Sequence, residues 1–144
     1  MRIWHYKIIP HLPTSQLVAQ WRELNSIFKK QDNHILINYV YNYPKENLFN
    51  YTMLVVAEMG KRKFKIKSWT NFNNYFGIKN DEPIIVDEQD LNKNPFEKDH
   101  NDRYLLQCFF NLQEKYDKGQ KDYDTQRYAD LEHYIELKFN KEVI

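Results

Sequence analysis

Apolar residues recur at Leu17, Val18, Trp21, Leu24, Ile27 and Phe28. At 100° per residue they fall on one stripe of a helix. Thr14 and Ser15 follow Pro13 and offer hydroxyl caps, so this helix is predicted to start at about residue 14 or 15. It ends near Lys29–Asn33, where cations suit a helix C-terminus. The spacing recurs three more times. Leu48, Tyr51, Val55 and Met59 predict a second helix, with Pro44 in its first turn and Gly60 weakening its end near residue 62. Leu105, Phe109, Leu112 and Tyr116 predict a third over 101–117, stopped by Gly119. Tyr128, Leu131, Ile135 and Phe139 predict a fourth over 125–139.

The segments between are less periodic. Residues 2–12 mix aromatic and aliphatic side chains and read as a short extended arm or partial turn over the core. Residues 35–41 have strand propensity, although packed irregular structure or a short helix fits equally. Residues 61–67 alternate cations with Phe64 and Ile66. That pattern suits a solvated strand edge with both apolar side chains inward, or a segment that touches phosphates. Residues 68–99 are turn-rich and predict a long, partly ordered loop, broken by the buried run Ile84–Val86. There is no internal repeat and no low-complexity linker. The expected fold class is mainly α, a single compact domain of three to four helices with long loops over residues 1–144.

Composition sharpens this picture in two places. With 42% apolar residues, 3 Gly and 5 Pro, the chain is expected to be folded rather than disordered. The 11 Tyr and 9 Phe serve as core, or as platforms on which bases stack. The net charge of +1 hides an asymmetry: residues 1–79 hold 12 Lys and Arg against 4 Asp and Glu, and residues 80–144 hold 9 against 16. A basic half is what a phosphate-backbone binder needs. The acidic half either turns DNA away from unproductive faces or is simply solvated. Cys108, the single cysteine, lies in the apolar run 105–110 and reads as a buried thiol, with no disulfide possible within the chain. Together with the lack of a membrane-length apolar stretch or a signal-peptide pattern, this predicts a cytoplasmic protein without membrane association.

The five histidines, at 5, 11, 34, 100 and 133, have no metal-ligand spacing, so no metal site is expected. A glycine-rich phosphate loop and a nucleophile elbow are also missing from the sequence. What remains is Arg22-Glu23, which fall outside the apolar stripe on opposite flanks and are free to face a ligand. They follow closely on the N-terminus. An α-amine, with a reference pKa of about 7.7–8.0, is partly neutral at physiological pH. An amine beside a carboxylate suits Schiff-base chemistry at a sugar C1′. Residue 2 is Arg, which leaves Met1 in place as the bearer of that amine.

Two groups of residues carry a resemblance. The first is Gln16-Leu17, Ala19, Trp21, Arg22-Glu23-Leu24 and His34; the second is Ala57-Glu58, Lys61-Arg62, Phe64 and Ile66. With the opening Met1–Lys7 and Pro13, they resemble the bacterial branch of the pyrimidine-dimer DNA glycosylase/AP lyase family. The resemblance spans about half the chain, and little aligns past about residue 80. It implies a helical DNA repair protein in which the Met1 amine attacks C1′ of a lesion nucleotide, at a pyrimidine dimer or an abasic site. Glu23 then orients or deprotonates at the sugar and stabilises the cationic imine. Arg22 binds phosphate, and Arg2, His34, Lys61 and Arg62 face DNA. Lys7 is the fallback amine. The implied partner is double-stranded damaged DNA, bound by a monomer without metal or cofactor. The alternative is a non-catalytic nucleic-acid-binding or interaction protein of the same fold.

Overall fold

The four predicted amphipathic segments fold as helices, and shorter ones join them. The structure is a computed structural model that describes residues 1–79 and 88–140. Those residues form α1 (Thr14–Lys29), α2 (Lys45–Lys61), α3 (Thr70–Phe76), α4 (Glu88–Leu91), α5 (Asp102–Asp117) and α6 (Thr125–Phe139), with 3-10 turns at Ile9–His11 and Asn38–Asn42. No strand occurs among them, and the fold is mainly α. α1 packs on α2 and α3, and α5 packs on α6. The turn at Ile9–His11 lies against both α2 and α6 and joins the two pairs.

The arm before α1 departs most from expectation. It is part of the core: Ile3, Trp4, Ile8, Ile9 and Leu12 are all buried. Burial of irregular backbone requires partners for its carbonyls, and side chains from later in the chain supply them. Tyr51 donates to Trp4 O at 2.7 Å, Tyr104 to Ile3 O at 2.6 Å and Tyr123 to His11 O at 2.7 Å. Arg62 donates to Leu12 O and Pro10 O, and Arg127 to Pro10 O. Both arginines also face the buried carboxylate of Glu58, at 2.9 Å from Arg62 Nε and 3.9 Å from Arg127 Nη1.

The cap of α1 also differs from the reading. Pro13 takes the N-cap position and makes no side-chain cap bond. The cap comes from 107 residues away: the Ser15 N–H donates to Asp122 Oδ2 at 2.6 Å. A carboxylate at this end suits the helix dipole. Residues 35–41 take the helical alternative as the turn Asn38–Asn42, with Ile37 and Val40 buried.

The alternating segment 61–67 is not a strand. Lys61 completes α2, Lys63 takes a left-handed conformation (φ 65°), and the Phe64 N–H returns to Met59 O at 2.9 Å. Phe64 stays exposed, and Ile66 alone of the pair packs on the core. The predicted loop 68–99 contains α3 and α4. α3 is short and rich in Asn; buried Phe72 anchors it, Tyr75 and Phe76 pack on the core at helical spacing, and Gly77 (φ 68°) closes it in the left-handed region that glycine tolerates. The run Ile84–Val86 lies outside the described residues.

Candidate active site at the N-terminus

On α1, Gln16, Gln20 and Glu23 stand at spacings that place them on one face. The apolar stripe beside them holds α1 against the core, so this face is turned to residues 1–4. Gln20 makes that junction. It is fully buried, yet every polar atom of its amide is used. Its Oε1 accepts from Trp4 N at 2.8 Å and lies 2.9 Å from the Tyr51 hydroxyl, whose single proton it shares with Trp4 O. Its Nε2 donates to Arg2 O at 3.0 Å and to Glu23 Oε2 at 3.1 Å. One side chain therefore fixes both the path of the first residues and the orientation of the carboxylate. The sequence carried a signal for this: at 100° per residue Gln20 falls inside the apolar stripe, between the directions of Leu24 and Ile27. A polar residue there must be buried and satisfied.

A cavity of about 270 Å³ opens at this junction, lined by Met1, Arg2, Trp4, Gln16, Glu23, Leu36, Asn111 and Lys115. Burial raises the Glu23 carboxyl above its ordinary range, opposed by the charge of the α-amine, the Arg2 N–H and the Arg22 charge. A half-buried carboxylate of raised pKa is suited to accept and return a proton.

The other predicted residues distribute unevenly. Arg2 lines the cavity, but its guanidinium turns inward, 5.5 Å from the Trp4 ring, 5.7 Å from the Tyr104 ring and 3.9 Å from Cys108 Sγ. Arg22 is exposed on the other flank of α1, beside a hollow shared with Trp21, Ser26, Lys29 and Asn71. His34 is exposed and braces its own turn by accepting from Leu36 N at 3.2 Å. Lys61 is exposed at the end of α2, away from the cavity lining. The Arg62 side chain is only 8% exposed and its nitrogens are committed to Glu58, Pro10 and Leu12, so it serves the fold and offers no free fork to a phosphate. Sequence reasoning missed Asn111 and Lys115, which α5 brings to the cavity from the half of the chain without recognisable motifs.

Lys7 points to a different place. It lines a second hollow with His5, His100, Asp102 and Lys138. The histidines there are structural. His100 Nδ1 accepts from Tyr6 N at 3.1 Å, so its Nε2 carries the proton toward the Tyr39 hydroxyl at 2.7 Å. His5 Nδ1 accepts from Lys7 N at 3.1 Å, so its Nε2 donates to His100 O at 3.1 Å. The two rings stack at 5.2 Å. Burial lowers His5 to about 4; burial and the neighbouring His5 charge lower His100 to about 2. Both are neutral at physiological pH with their ring nitrogens occupied.

Residues 1–71 match the family described as pyrimidine dimer DNA glycosylase. No curated protein and no solved structure matches the chain.

Proposed function

From the premise that the chain belongs, through residues 1–71, to the pyrimidine dimer DNA glycosylase family, we propose that it is a DNA repair glycosylase with AP lyase activity. The observation that carries this reading is the meeting of the first residue and Glu23 in one cavity, under the control of Gln20.

In this reading the neutral α-amine of Met1 attacks C1′ of the lesion nucleotide. The N-glycosidic bond breaks, the base leaves with the electron pair and takes up a proton, and the sugar opens to a protonated imine. Glu23 holds the cationic nitrogen and removes a proton from C2′. The electrons expel the phosphate at C3′ by β-elimination, and water hydrolyses the imine to release the amine. A positioned acid–base group such as Glu23 contributes about 10²–10⁴-fold. The nucleotide must leave the duplex stack to reach C1′, at a cost that damage lowers. Arg22, Lys29, Lys30 and Lys115 supply the phosphate contacts, and the acidic α6 lies off the DNA face. The protein acts as a cytoplasmic monomer; no described helix is long and apolar enough to cross a membrane.

The test is borohydride trapping on DNA with an abasic site, using protein with a free N-terminus. A covalent adduct is expected, and a peptide tag left on Met1 abolishes it. Equal trapping by tagged and untagged protein would move the nucleophile to an internal lysine, with Lys115 the one that lines the cavity. Absence of any adduct and of any strand cleavage would leave the non-catalytic DNA-binding reading.

A further inference from the structure

Two consecutive large aliphatic side chains stand in solvent at the rim of the Glu23 cavity. Ile35 is 81% exposed and Leu36 is 51% exposed, and Leu36 lines the cavity itself. Scattered surface aliphatics are ordinary, but an adjacent pair on a prominent turn at a polar site is not.

The turn that carries them is firmly built. The His34 N–H donates to Asp32 Oδ1 at 2.9 Å, and the Leu36 N–H donates to His34 Nδ1 at 3.2 Å. The Ile37 and Asn38 N–H groups both return to His34 O, at 3.0 and 2.9 Å. The Asp32 N–H donates to the Tyr41 hydroxyl at 2.7 Å. Ile37, the next residue, is fully buried and pins the turn to the core. Ile35 and Leu36 therefore project from a braced support. The exposed cations Lys29 and Lys30 precede the turn, and Lys115 faces Leu36 across the cavity.

We propose that Ile35 and Leu36 form a wedge that enters the base stack of duplex DNA at the lesion and fills the gap left when a nucleotide moves toward the cavity. This deepens the reading above and rests on it for the identity of the ligand. Three features favour a nucleic acid over a protein partner. Two exposed cations, Lys29 and Lys30, precede the turn that carries the pair, and Lys115 lines the same cavity as Leu36. It borders a polar cavity rather than a broader apolar face. And an apolar side chain inserted at a base step is a known way to unstack and kink a duplex. The wedge also answers a geometric need: Met1 and Glu23 line one hollow of about 270 Å³, and a lesion nucleotide must leave the stack to reach it.

The test is a duplex carrying a non-cleavable abasic analogue with 2-aminopurine as its neighbour. Wild-type protein is expected to raise the fluorescence several-fold on binding. The double variant Ile35→Ala, Leu36→Ala removes two exposed side chains and leaves the turn's hydrogen bonds in place. It is expected to lose most of that rise and to bind the lesion duplex about tenfold more weakly. It should retain wild-type affinity for undamaged duplex, and Ile35→Phe should retain the fluorescence rise. Trapping on single-stranded abasic DNA, which has little stack to open, separates this proposal from the catalytic one. If wild type traps there and the double variant still unstacks the duplex as wild type does, the wedge is wrong and the enzyme stands. If wild type fails to trap but its fluorescence rise depends on the pair, the lyase reading falls and the wedge stands. A double variant changed only in self-association would make the pair a protein contact and overturn the wedge.

Discussion

The Gln20 amide donates to Glu23 Oε2 at 3.1 Å and, through the same nitrogen, to Arg2 O at 3.0 Å. The carboxylate and the chain's first residues thus share one buried tether. Removing it should loosen both at once. Gln20→Met keeps the length and loses every hydrogen bond, leaving the Trp4 N–H, Arg2 O and the Tyr51 hydroxyl without this partner. A stability loss of about 1–3 kcal/mol is expected. A purely structural residue would do no more. A positioning residue also shifts chemistry: without its donor, the Glu23 carboxyl titrates at still higher pH. The acid limb of the pH–rate profile should therefore move upward. An unmoved limb at reduced stability would confine Gln20 to the fold.

Glu23→Gln keeps size and one acceptor oxygen and removes the charge. Strand cleavage at an abasic site should fall by about 10²-fold or more, while binding of the same DNA in a gel-shift assay should change little. A variant that cleaves at the wild-type rate would place the proton transfers on another group.

Salt should govern affinity. With the Arg62 nitrogens tied to the fold and the Arg2 guanidinium turned inward, the proposed phosphate contacts are Arg22, Lys29, Lys30 and Lys115. Each phosphate neutralised contributes about −0.9 to the slope of log K against log salt, so four give roughly −3.6. Arg22→Ala should weaken binding across sequences and flatten the slope by about one unit. Replacing Glu132 and Glu136 should leave it unchanged. A wild-type slope near zero would remove both DNA readings.

Acid should unfold the protein earlier than carboxylates alone would. His5, His11 and His100 are all lowered in the folded state, chiefly by burial. The folded protein then binds fewer protons than the unfolded chain below pH 6.5. The neutral-histidine stability is complete above that value and is lost progressively as pH falls toward about 4, where His5 titrates. Between pH 6.5 and 5, before most carboxylates respond, His5 and His100 should each contribute a loss of about 1–2 kcal/mol. Urea midpoints measured across this window should fall steadily. A flat profile from pH 7 to 5 would mean that the rings are already protonated or solvated in the native state.

The long helices were legible because each stripe repeats through three or four turns of hydrophobic side chains. α3 was not, because Thr70–Phe76 is only two turns long and rich in Asn, a turn-favouring residue, although Phe72, Tyr75 and Phe76 stand at helical spacing; tertiary contact with α1 stabilises what propensity does not. Glu23 was visible as a carboxylate off the apolar stripe close behind the N-terminus. Lys115 was not, because on α5 it looks like any solvated lysine until the fold brings it beside Met1. Arg62 misled for the complementary reason: the basic run Lys61–Lys63 looks like a phosphate contact, whereas burial against Glu58 turns its middle member into a clamp.

The hydroxyl and guanidinium bonds to the arm have a bearing on modularity. The stretch from Met1 to Lys79 contains Glu23, Gln20 and all of the excess positive charge. Yet Ile3, Pro10 and His11 are gripped by Tyr104, Arg127 and Tyr123, all contributed by the acidic half. The anionic C-terminal portion is therefore the jig in which the N-terminal arm is held. A fragment ending at residue 79 would carry the chemical groups and lose their alignment. Grafting the first 79 residues onto another scaffold would transplant the reagents without the vice.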